Sequence, residues 1–304
     1  MVTNRTKEQL WHTTKSGVVV PVGMSATLSQ SSTWTYLQTK EKAKAIEKLY
    51  ADNNILLPPD CALANLVSDA KTLSDAWLMD KKEIANWQLL FSVSSLDRIA
   101  DAVLPLANVP DRVKYLTVLT SGDLDLLQRD QSTAKDILWE LELWARLRRR
   151  GFSATLCEPD IVVHFEDATV GIACKKFYSD NNVGKVLSEG VGQIEATHDF
   201  GILALNLDDL IPGGGILPST TQAAMGRRIE QINNEFLVKH KRHFLRYLQP
   251  GRVISAMVST TLLADLSAHK PSFNIASQMT VWAVPGLTSM KKQQLDRFYV
   301  QLME

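Results

Sequence analysis

The feature that most constrains the fold is a change of hydrophobic pattern near Ser132, where a strong helical segment gives way to short strand-like segments. The helix begins with Ser132 or Thr133 as its N-cap and ends at Gly151, because hydroxyl residues are preferred at N-caps and glycine just after a helix. Trp139 and Trp144 lie on this helix, and at least one of them should be buried because the helix must cover a sheet. The change of spacing predicts an α/β layer in the C-terminal half.

The segments after this helix predict the order of that layer. Three consecutive strands, a helix and a further strand are expected at residues 152–157, 161–165, 169–174, 185–197 and 202–207. A strand, helix and strand in this order imply a right-handed crossover and a parallel pair. Further strands are expected at 253–259 and 279–284, and a closing helix at 287–302. The expected fold class is α/β, with a mixed sheet flanked by helices.

The first 125 residues have a different character. Helical spacing recurs at residues 35–52, 73–85 and 96–106, and prolines interrupt the connections between these segments. We therefore predict a mainly helical N-terminal region at 1–125 and an α/β domain at 126–304.

Charge and cysteine content limit the classes of function. Basic and acidic residues balance at 33 each, so the whole molecule cannot attract a polyanion, and nucleic-acid binding would require local basic clusters. The three cysteines form no C-x-x-C pair, which fits neither a disulfide framework nor a cysteine-based zinc site. Neither an apolar leader nor a long apolar stretch occurs, so we expect a cytoplasmic protein with no membrane partner.

Three ionisable residues at the ends of apolar runs form the most informative constellation. Glu140 lies on the helix, Asp160 opens the second predicted strand and Lys175 ends the third. Because strand side chains alternate, a hairpin between these strands would bring Asp160 and Lys175 together. Hydrolysis of a phosphodiester needs carboxylates that hold a divalent metal and a cation near the phosphate. The constellation therefore predicts a nuclease site that contains all three residues.

In order and approximate spacing, these residues resemble the PD-(D/E)XK nuclease superfamily, in particular its Mrr-like restriction-endonuclease branch. The matches are Glu140, Pro159-Asp160, Lys175 and Gln193. The resemblance implies a restriction-endonuclease-like fold, Mg²⁺ or Mn²⁺ as cofactor, and an endonuclease that cleaves DNA, with RNA as an open alternative. It further implies that Asp160 holds the metal, Glu140 supports the metal or water, Lys175 stabilises charge and Gln193 orients the substrate. A role in restriction or anti-phage defence, with a homodimer or a defence-system protein as partner, is the corresponding biological expectation.

One position departs from the superfamily pattern. The acidic residue two positions before Lys175 is replaced by Ala173, which cannot ligate a metal. A second carboxylate is then required, because Mg²⁺ is usually bound by one or two carboxylates plus substrate phosphate. Glu189 is the first candidate because it lies four residues before Gln193 on the same helix face, and Glu158 is the second. The alternative is a catalytically inactive nuclease fold, native or produced by substitution at this position, that binds nucleic acid or a protein partner.

Each of these residues also has an ordinary structural interpretation. Glu140 can be a solvated charge on a helix, and Asp160 can be a turn residue after proline. Lys175 can be a charged residue that protects an edge strand against aggregation. Gln193 can be an exposed helix residue. His164 shares the Asp160 face by alternation along the strand, and we assign it a structural role.

Basic residues cluster on one predicted helix and shortly before it. A solvated helix face is the ordinary interpretation of such a run, whereas contact with a nucleic-acid backbone is the functional one. Together with Lys176 at the end of the third strand, the candidate nucleic-acid-binding residues are Arg227, Arg228, Lys239, Lys241, Arg242 and Arg246.

Overall fold

The computed structural model describes residues 11–13, 19–21, 36–79, 86–211, 216–268, 273–284 and 286–303. These residues form two compact units, one within Ser31–Arg146 and one within Leu147–Glu304, and the second also includes two short strands near the N-terminus. The domain boundary near residue 125 was inferred from a change in hydrophobic pattern along the sequence. That the chain folds as two separate domains on either side of it stays a prediction.

The unit Ser31–Arg146 is built from helices. They are α1 (Tyr36–Asp52), α2 (Ala62–Leu78), α3 (Trp87–Val103), α4 (Arg112–Ser121) and most of α5 (Thr133–Arg149). Apolar side chains such as Leu63 and Leu96 are fully buried between them. The Tyr50 hydroxyl donates a hydrogen bond of 3.0 Å to the Leu116 carbonyl oxygen. The expected helical character of the N-terminal half is therefore confirmed.

The second unit is built around a mixed sheet. Its N-terminal strands β1 (Trp11–Thr13) and β2 (Val19–Pro21) form a separate antiparallel pair. The strands of the main sheet are β3 (Ser153–Cys157), β4 (Asp160–His164), β5 (Thr169–Lys176), β6 (Gly201–Asn206), β7 (Ile216–Ser219), β8 (Val253–Leu266) and β9 (Phe273–Ala283). The helices of this unit are α6 (Val183–Thr197), α7 (Gln222–Lys239), α8 (Lys241–Leu248) and α9 (Ser289–Met303).

The order of the strands makes β5 and β6 the centre of the fold. The described strands of the main sheet follow the order β3-β4-β5-β6-β8-β7, and β9 also pairs with β8. The pairs β3-β4, β4-β5 and β8-β9 are antiparallel, whereas β5-β6, β6-β8 and β7-β8 are parallel. Every residue of β6 is buried, as expected for a parallel strand with both faces covered. The parallel pair that the sequence predicted is confirmed.

Helices pack against both faces of this sheet. On one face, Leu187 and Ile194 of α6 join Ala173 of β5 and Leu203 of β6 in a buried cluster that also includes Phe244 of α8. On the other face, the Tyr299 hydroxyl of α9 lies 3.0 Å from the Ser255 hydroxyl of β8. The α/β fold class and the flanking helices are thus confirmed.

Helix bounds and side-chain burial agree with the predictions from the sequence to different degrees. Trp139 and Trp144 are both about 4% exposed, which confirms the phase of α5. The helix expected at 73–85 begins earlier, at Ala62, because Cys61 serves as its N-cap, and residues 80–85 lie outside the described part of the chain. Within the described ranges, no helix is long and apolar enough to cross a membrane.

Asn233 fixes α7 to the sheet. Its amide nitrogen donates to the Gln278 carbonyl oxygen at 3.2 Å and to Thr280 Oγ1 at 3.1 Å. Its amide oxygen accepts from Thr260 Oγ1 at 2.6 Å. The side chain is completely buried, so these bonds replace contacts that water would otherwise make.

We expect Asn233→Ala to lower the free energy of unfolding by about 2–4 kcal/mol, because it leaves a cavity and several buried polar groups without partners. Urea denaturation followed by circular dichroism measures this change. Asn234→Ala is the matched control, since Asn234 is only half-buried beside an open groove. An equal loss in the two variants would show that the Asn233 network contributes nothing specific.

Candidate active site

Asp160 occupies a defined place at the end of the β3-β4 hairpin. Glu158 and Pro159 form a two-residue turn, and Cys157 pairs with Asp160 across it. The antiparallel ladder between β4 and β5 ends here, and Asp160 Oδ2 accepts a hydrogen bond of 2.6 Å from the Cys174 backbone N–H. The carboxylate thus satisfies a donor that would otherwise have no partner at the end of the ladder.

The strand register decides which side chains accompany Asp160. Ile161 pairs with Ile172, so Asp160 and Ala173 both point to the opposite face of the sheet. Lys175 follows Ala173 by two residues and points to that same face. Asp160 and Lys175 are therefore on one face, as expected from the sequence. This surface is called the Asp160 face below.

The environment of Asp160 favours its neutral form. Burial raises the pKa of Asp160 to about 6, the charge of Lys175 and the hydrogen bond from Cys174 oppose this increase, and the charge of Glu158 adds to it. A carboxyl group with this pKa changes its charge close to neutral pH. Such groups concentrate at functional sites, although structural clusters produce them too.

Helix α6 covers the stem of Lys175. A Cβ atom on Gly190 would lie 3.5 Å from Lys175 Cγ and 2.5 Å from Leu203 Cδ2, so the glycine allows a close approach of helix and sheet. Among the described residues, no hydrogen bond or ion pair holds the Lys175 ammonium group. A half-buried cation in this position can contact a bound anion.

Gln193 follows Gly190 by three residues and lies on the same side of α6, and Gly190 packs on Lys175 of β5. Val191 is turned towards Gly251 instead. The Gln193 Oε1 atom is buried and has no hydrogen-bond partner among the described residues. A buried acceptor without a partner is costly, and it is a place where a ligand or water can bind. The role of Gln193 in orienting a substrate stays a prediction.

The carboxylates proposed as metal ligands differ in their surroundings. Glu158 is exposed on the hairpin turn, and its charge acts on Asp160. Glu189 is exposed on α6, and its carboxylate lies 3.8 Å from the Lys185 ammonium group. Glu140 lies on the part of α5 that belongs to the other unit, and its place beside Asp160 stays a prediction. No group of three or more potential ligands from His, Cys, Asp and Glu is placed to hold a metal within the described residues.

Lys176 has surroundings that differ from those expected. Its side chain is about 5% exposed, and its ammonium nitrogen lies 2.6 Å from Asp209 Oδ2. The same nitrogen donates to Asn206 Oδ1 at 2.7 Å. Alternation along β5 turns Lys176 away from Lys175. This buried ion pair argues against the phosphate contact that the sequence suggested for Lys176.

The basic residues of α7 and α8 lie mainly at the surface. Arg227 and Lys239 line an open groove along α7 together with the acidic residues Glu230 and Glu235. Lys239 also pairs with Asp180. Alternating charges of this kind are typical of a solvated helix face.

The other four candidates differ in exposure. Arg228, Arg242 and Arg246 are exposed and Lys241 is half-buried. The guanidinium group of Arg246 lies 5.4 Å from the centre of the Tyr247 ring. Their contact with nucleic acid stays a prediction.

Sequence reasoning missed His198, which follows α6. Its ring lies over Gly171 on the Asp160 face, where a Cβ atom would be 2.8 Å from His198 Cγ. Periodicity gives no sign of this, because the residue lies beyond the end of the helix. A glycine inside a strand is the one signal, since it often marks a close approach of another group.

Comparison with known proteins does not assign the chain to a family. No protein-family model and no curated protein matches the sequence.

The raised pKa of Asp160 predicts an effect of pH on stability. Its folded-state pKa of about 6 lies above the ordinary value of 3.8, so the protonated form stabilises the fold. This contribution is complete below about pH 4 and is lost as the pH rises through 6. Asp160→Asn keeps an oxygen acceptor for Cys174 without the charge, and we expect it to raise the free energy of unfolding by about 1–2 kcal/mol near pH 8.

Urea denaturation at a series of pH values measures this effect. The Asn variant should lose most of the pH dependence between about pH 5 and pH 8. Asp160→Ala is the contrasting variant, because it leaves the Cys174 N–H without its acceptor and should be destabilised by about 1–3 kcal/mol. An Asn variant less stable than the parent near pH 8 would contradict this account of Asp160.

Proposed function

We propose that this chain is a divalent-metal-dependent nuclease that hydrolyses phosphodiester bonds in DNA. The observation that carries the proposal is the shared face of Asp160 and Lys175, with the charge of Lys175 acting on Asp160. Metal-dependent phosphodiester cleavage requires a carboxylate for the metal and benefits from a cation near the phosphate, and this face supplies both.

The residues of the site suit a hard divalent cation that needs only a few ligands from the protein. Asp160 and Glu158 are two carboxylates whose charges interact, and Mg²⁺ is commonly bound by one or two carboxylates with water and substrate phosphate. When bound, Mg²⁺ or Mn²⁺ would activate a water molecule and neutralise charge on the phosphate. We assign Asp160 and Glu158 as the residues that would hold it.

The other side chains bind and orient the substrate. Lys175 supplies a positive charge on the face where the phosphate would lie, and packing of its stem against Gly190 limits its motion. Gln193 offers a buried acceptor for a water molecule or a substrate donor. Asp160 must be ionised to hold a cation, so activity should increase as the pH rises through about 6. Glu140 enters this proposal only through its position in the sequence motif.

A plasmid-nicking assay tests the proposal. The protein should convert supercoiled DNA to nicked or linear forms with Mg²⁺ or Mn²⁺ but not with EDTA. Asp160→Asn and Lys175→Ala should each lower the rate at least about 100-fold, since each removes a charge that acts on the reacting phosphate or its metal. Lys292→Ala is the control, because Lys292 is exposed on α9.

The stability of the variants makes the result decisive. Asp160→Asn is expected to be at least as stable as the parent at neutral pH, so loss of cleavage would not reflect unfolding. Two results would contradict the proposed site. One is that the Asp160→Asn and Lys175→Ala variants both nick DNA as the parent does, and the other is that the parent nicks DNA equally well in EDTA.

The second carboxylate is tested by Glu158→Gln and Glu189→Gln. The sequence placed Glu189 first, but we favour Glu158 because its charge acts on Asp160, whereas Glu189 is close to Lys185. We expect Glu158→Gln to raise the Mg²⁺ concentration for half-maximal nicking by about tenfold or more, and Glu189→Gln to have a smaller effect. Glu158→Gln should also move the pH midpoint of activity downwards, because it removes a charge that raises the pKa of Asp160. The reverse order of effects would identify Glu189 as the migrated carboxylate.

A non-catalytic nuclease fold is the second candidate function. The observation that favours it is Ala173, which is completely buried within the apolar cluster under α6 and supplies no donor. Such a protein would bind DNA or a partner through the same face without cleavage. Nicking that requires Asp160 and a divalent metal separates the two candidates. A role in restriction or anti-phage defence rests on the resemblance of the sequence motif alone.

A further inference from the structure

The Asp160 face continues beyond Asp160 along the β3-β4 hairpin. Thr155 on β3 pairs with Val162 on β4, and Cys157 pairs with Asp160, so Thr155, His164 and Asp160 point to one side. Thr155 and His164 are exposed. The open surface therefore begins beside the proposed site and extends along both strands.

His198 adds a second imidazole to this surface. A Cβ atom on Gly171 would lie 2.8 Å from His198 Cγ and 3.1 Å from Pro159 Cδ, so the missing side chain makes room for the ring. Gly171 pairs with Val162, which lies between Asp160 and His164 on the same face. The His198 ring is thus placed between the Asp160 turn and His164. Thr155, His164 and His198 are called the histidine strip below.

Each ring is held by a threonine hydroxyl group, but through a different nitrogen. Thr155 Oγ1 lies 2.9 Å from His164 Nε2, and Thr197 Oγ1 lies 2.8 Å from His198 Nδ1. The remaining nitrogens, His164 Nδ1 and His198 Nε2, have no hydrogen-bond partner in the part of the chain that the structure describes. Each imidazole is therefore held by a hydroxyl group on one side and offers the other nitrogen to a ligand.

We propose that the histidine strip binds the sugar-phosphate backbone of DNA where the strand leaves the Asp160–Lys175 site across the β3-β4 hairpin. This inference rests on the proposed function and identifies the residues that hold its substrate. Hydroxyl groups and protonated imidazoles donate hydrogen bonds to phosphate oxygens, and such contacts fix the register of the nucleic acid without sequence preference. The chain has no net charge, so local donors of this kind are what binding would require.

The electrostatic surroundings explain why a phosphate would be favourable here. Burial lowers the pKa of His198, the charge of Asp199 opposes this effect, and the charge of His164 adds to it. Two imidazolium groups on one face repel each other, and a phosphate between them would relieve this repulsion. Charged and titratable groups that face the strip or its immediate surroundings from the neighbouring elements are Cys157, Glu158, Asp160, Lys175, Asp199 and Arg252.

Binding of a short labelled DNA duplex in EDTA tests the inference without cleavage. Fluorescence anisotropy should show binding about tenfold tighter near pH 6 than near pH 8, because histidine side chains in general gain charge over this range. The double variant His164→Gln/His198→Gln should lose most of this difference, and its log–log salt dependence near pH 6 should decrease in slope by about 2. The double variant His164→Lys/His198→Lys should bind near pH 8 about as tightly as the parent binds near pH 6. His243→Gln is the matched control, because His243 is exposed on α8 and stacked on Tyr247.

The outcomes separate this inference from the proposed function. Asp160 also gains charge between these two pH values, so both double variants are compared in the Asp160→Asn background as well. In that background, retention of pH-dependent binding by the Gln double variant, or no recovery in the Lys double variant, would overturn the role of the strip. A parent protein that does not bind the duplex at either pH would overturn it too. If the parent binds DNA and the Gln variant does not, the strip is supported even where Mg²⁺ or Mn²⁺ produces no nicking. In that case the nuclease proposal fails and the DNA-binding surface stands.

Discussion

The close approach of α6 to the β5-β6 pair is the constraint on which the candidate site depends. Gly190 is buried at this contact, and a side chain there would collide with Leu203. Because the helix lies so near the sheet, the stem of Lys175 is covered while its ammonium group extends along the face shared with Asp160. Gln193 lies three residues after Gly190 on the same side of the helix. A bulkier residue at position 190 would separate the layers and with them the groups proposed to act together.

Two adjacent lysines show how alternation along one strand separates a structural charge from one with a proposed function. Lys176 points away from the Asp160 face and is buried in an ion pair with Asp209, where removal of either partner would leave an uncompensated charge. Lys175 lacks such a partner among the described residues and lies beside a carboxyl group with a raised pKa. The difference follows from strand geometry, since the two residues are chemically identical and neighbours in the chain.

Asp160 combines a structural and a proposed chemical role. Its bond to the Cys174 N–H ends the ladder of the β4-β5 pair, which explains an aspartate after proline without reference to catalysis. Burial raises its pKa, so the same group is partly neutral near pH 6 and would bind a cation more readily above that value. The structural contact holds one carboxylate oxygen in place, and such fixed orientation is what a metal or phosphate site needs.

The sequence by itself determined the local elements and the face on which the central residues lie. Hydrophobic spacing placed α5, the three strands of the hairpin region and α6, because periods of 3.6 and 2 are set by backbone geometry alone. Alternation also placed Asp160 and Lys175 together once a hairpin was assumed. The tertiary structure decided what these residues meet. The burial of Lys176 against Asp209 and the position of His198 over Gly171 both join residues from separate segments. Such contacts depend on how strands and helices pack in three dimensions, and a linear pattern does not specify them.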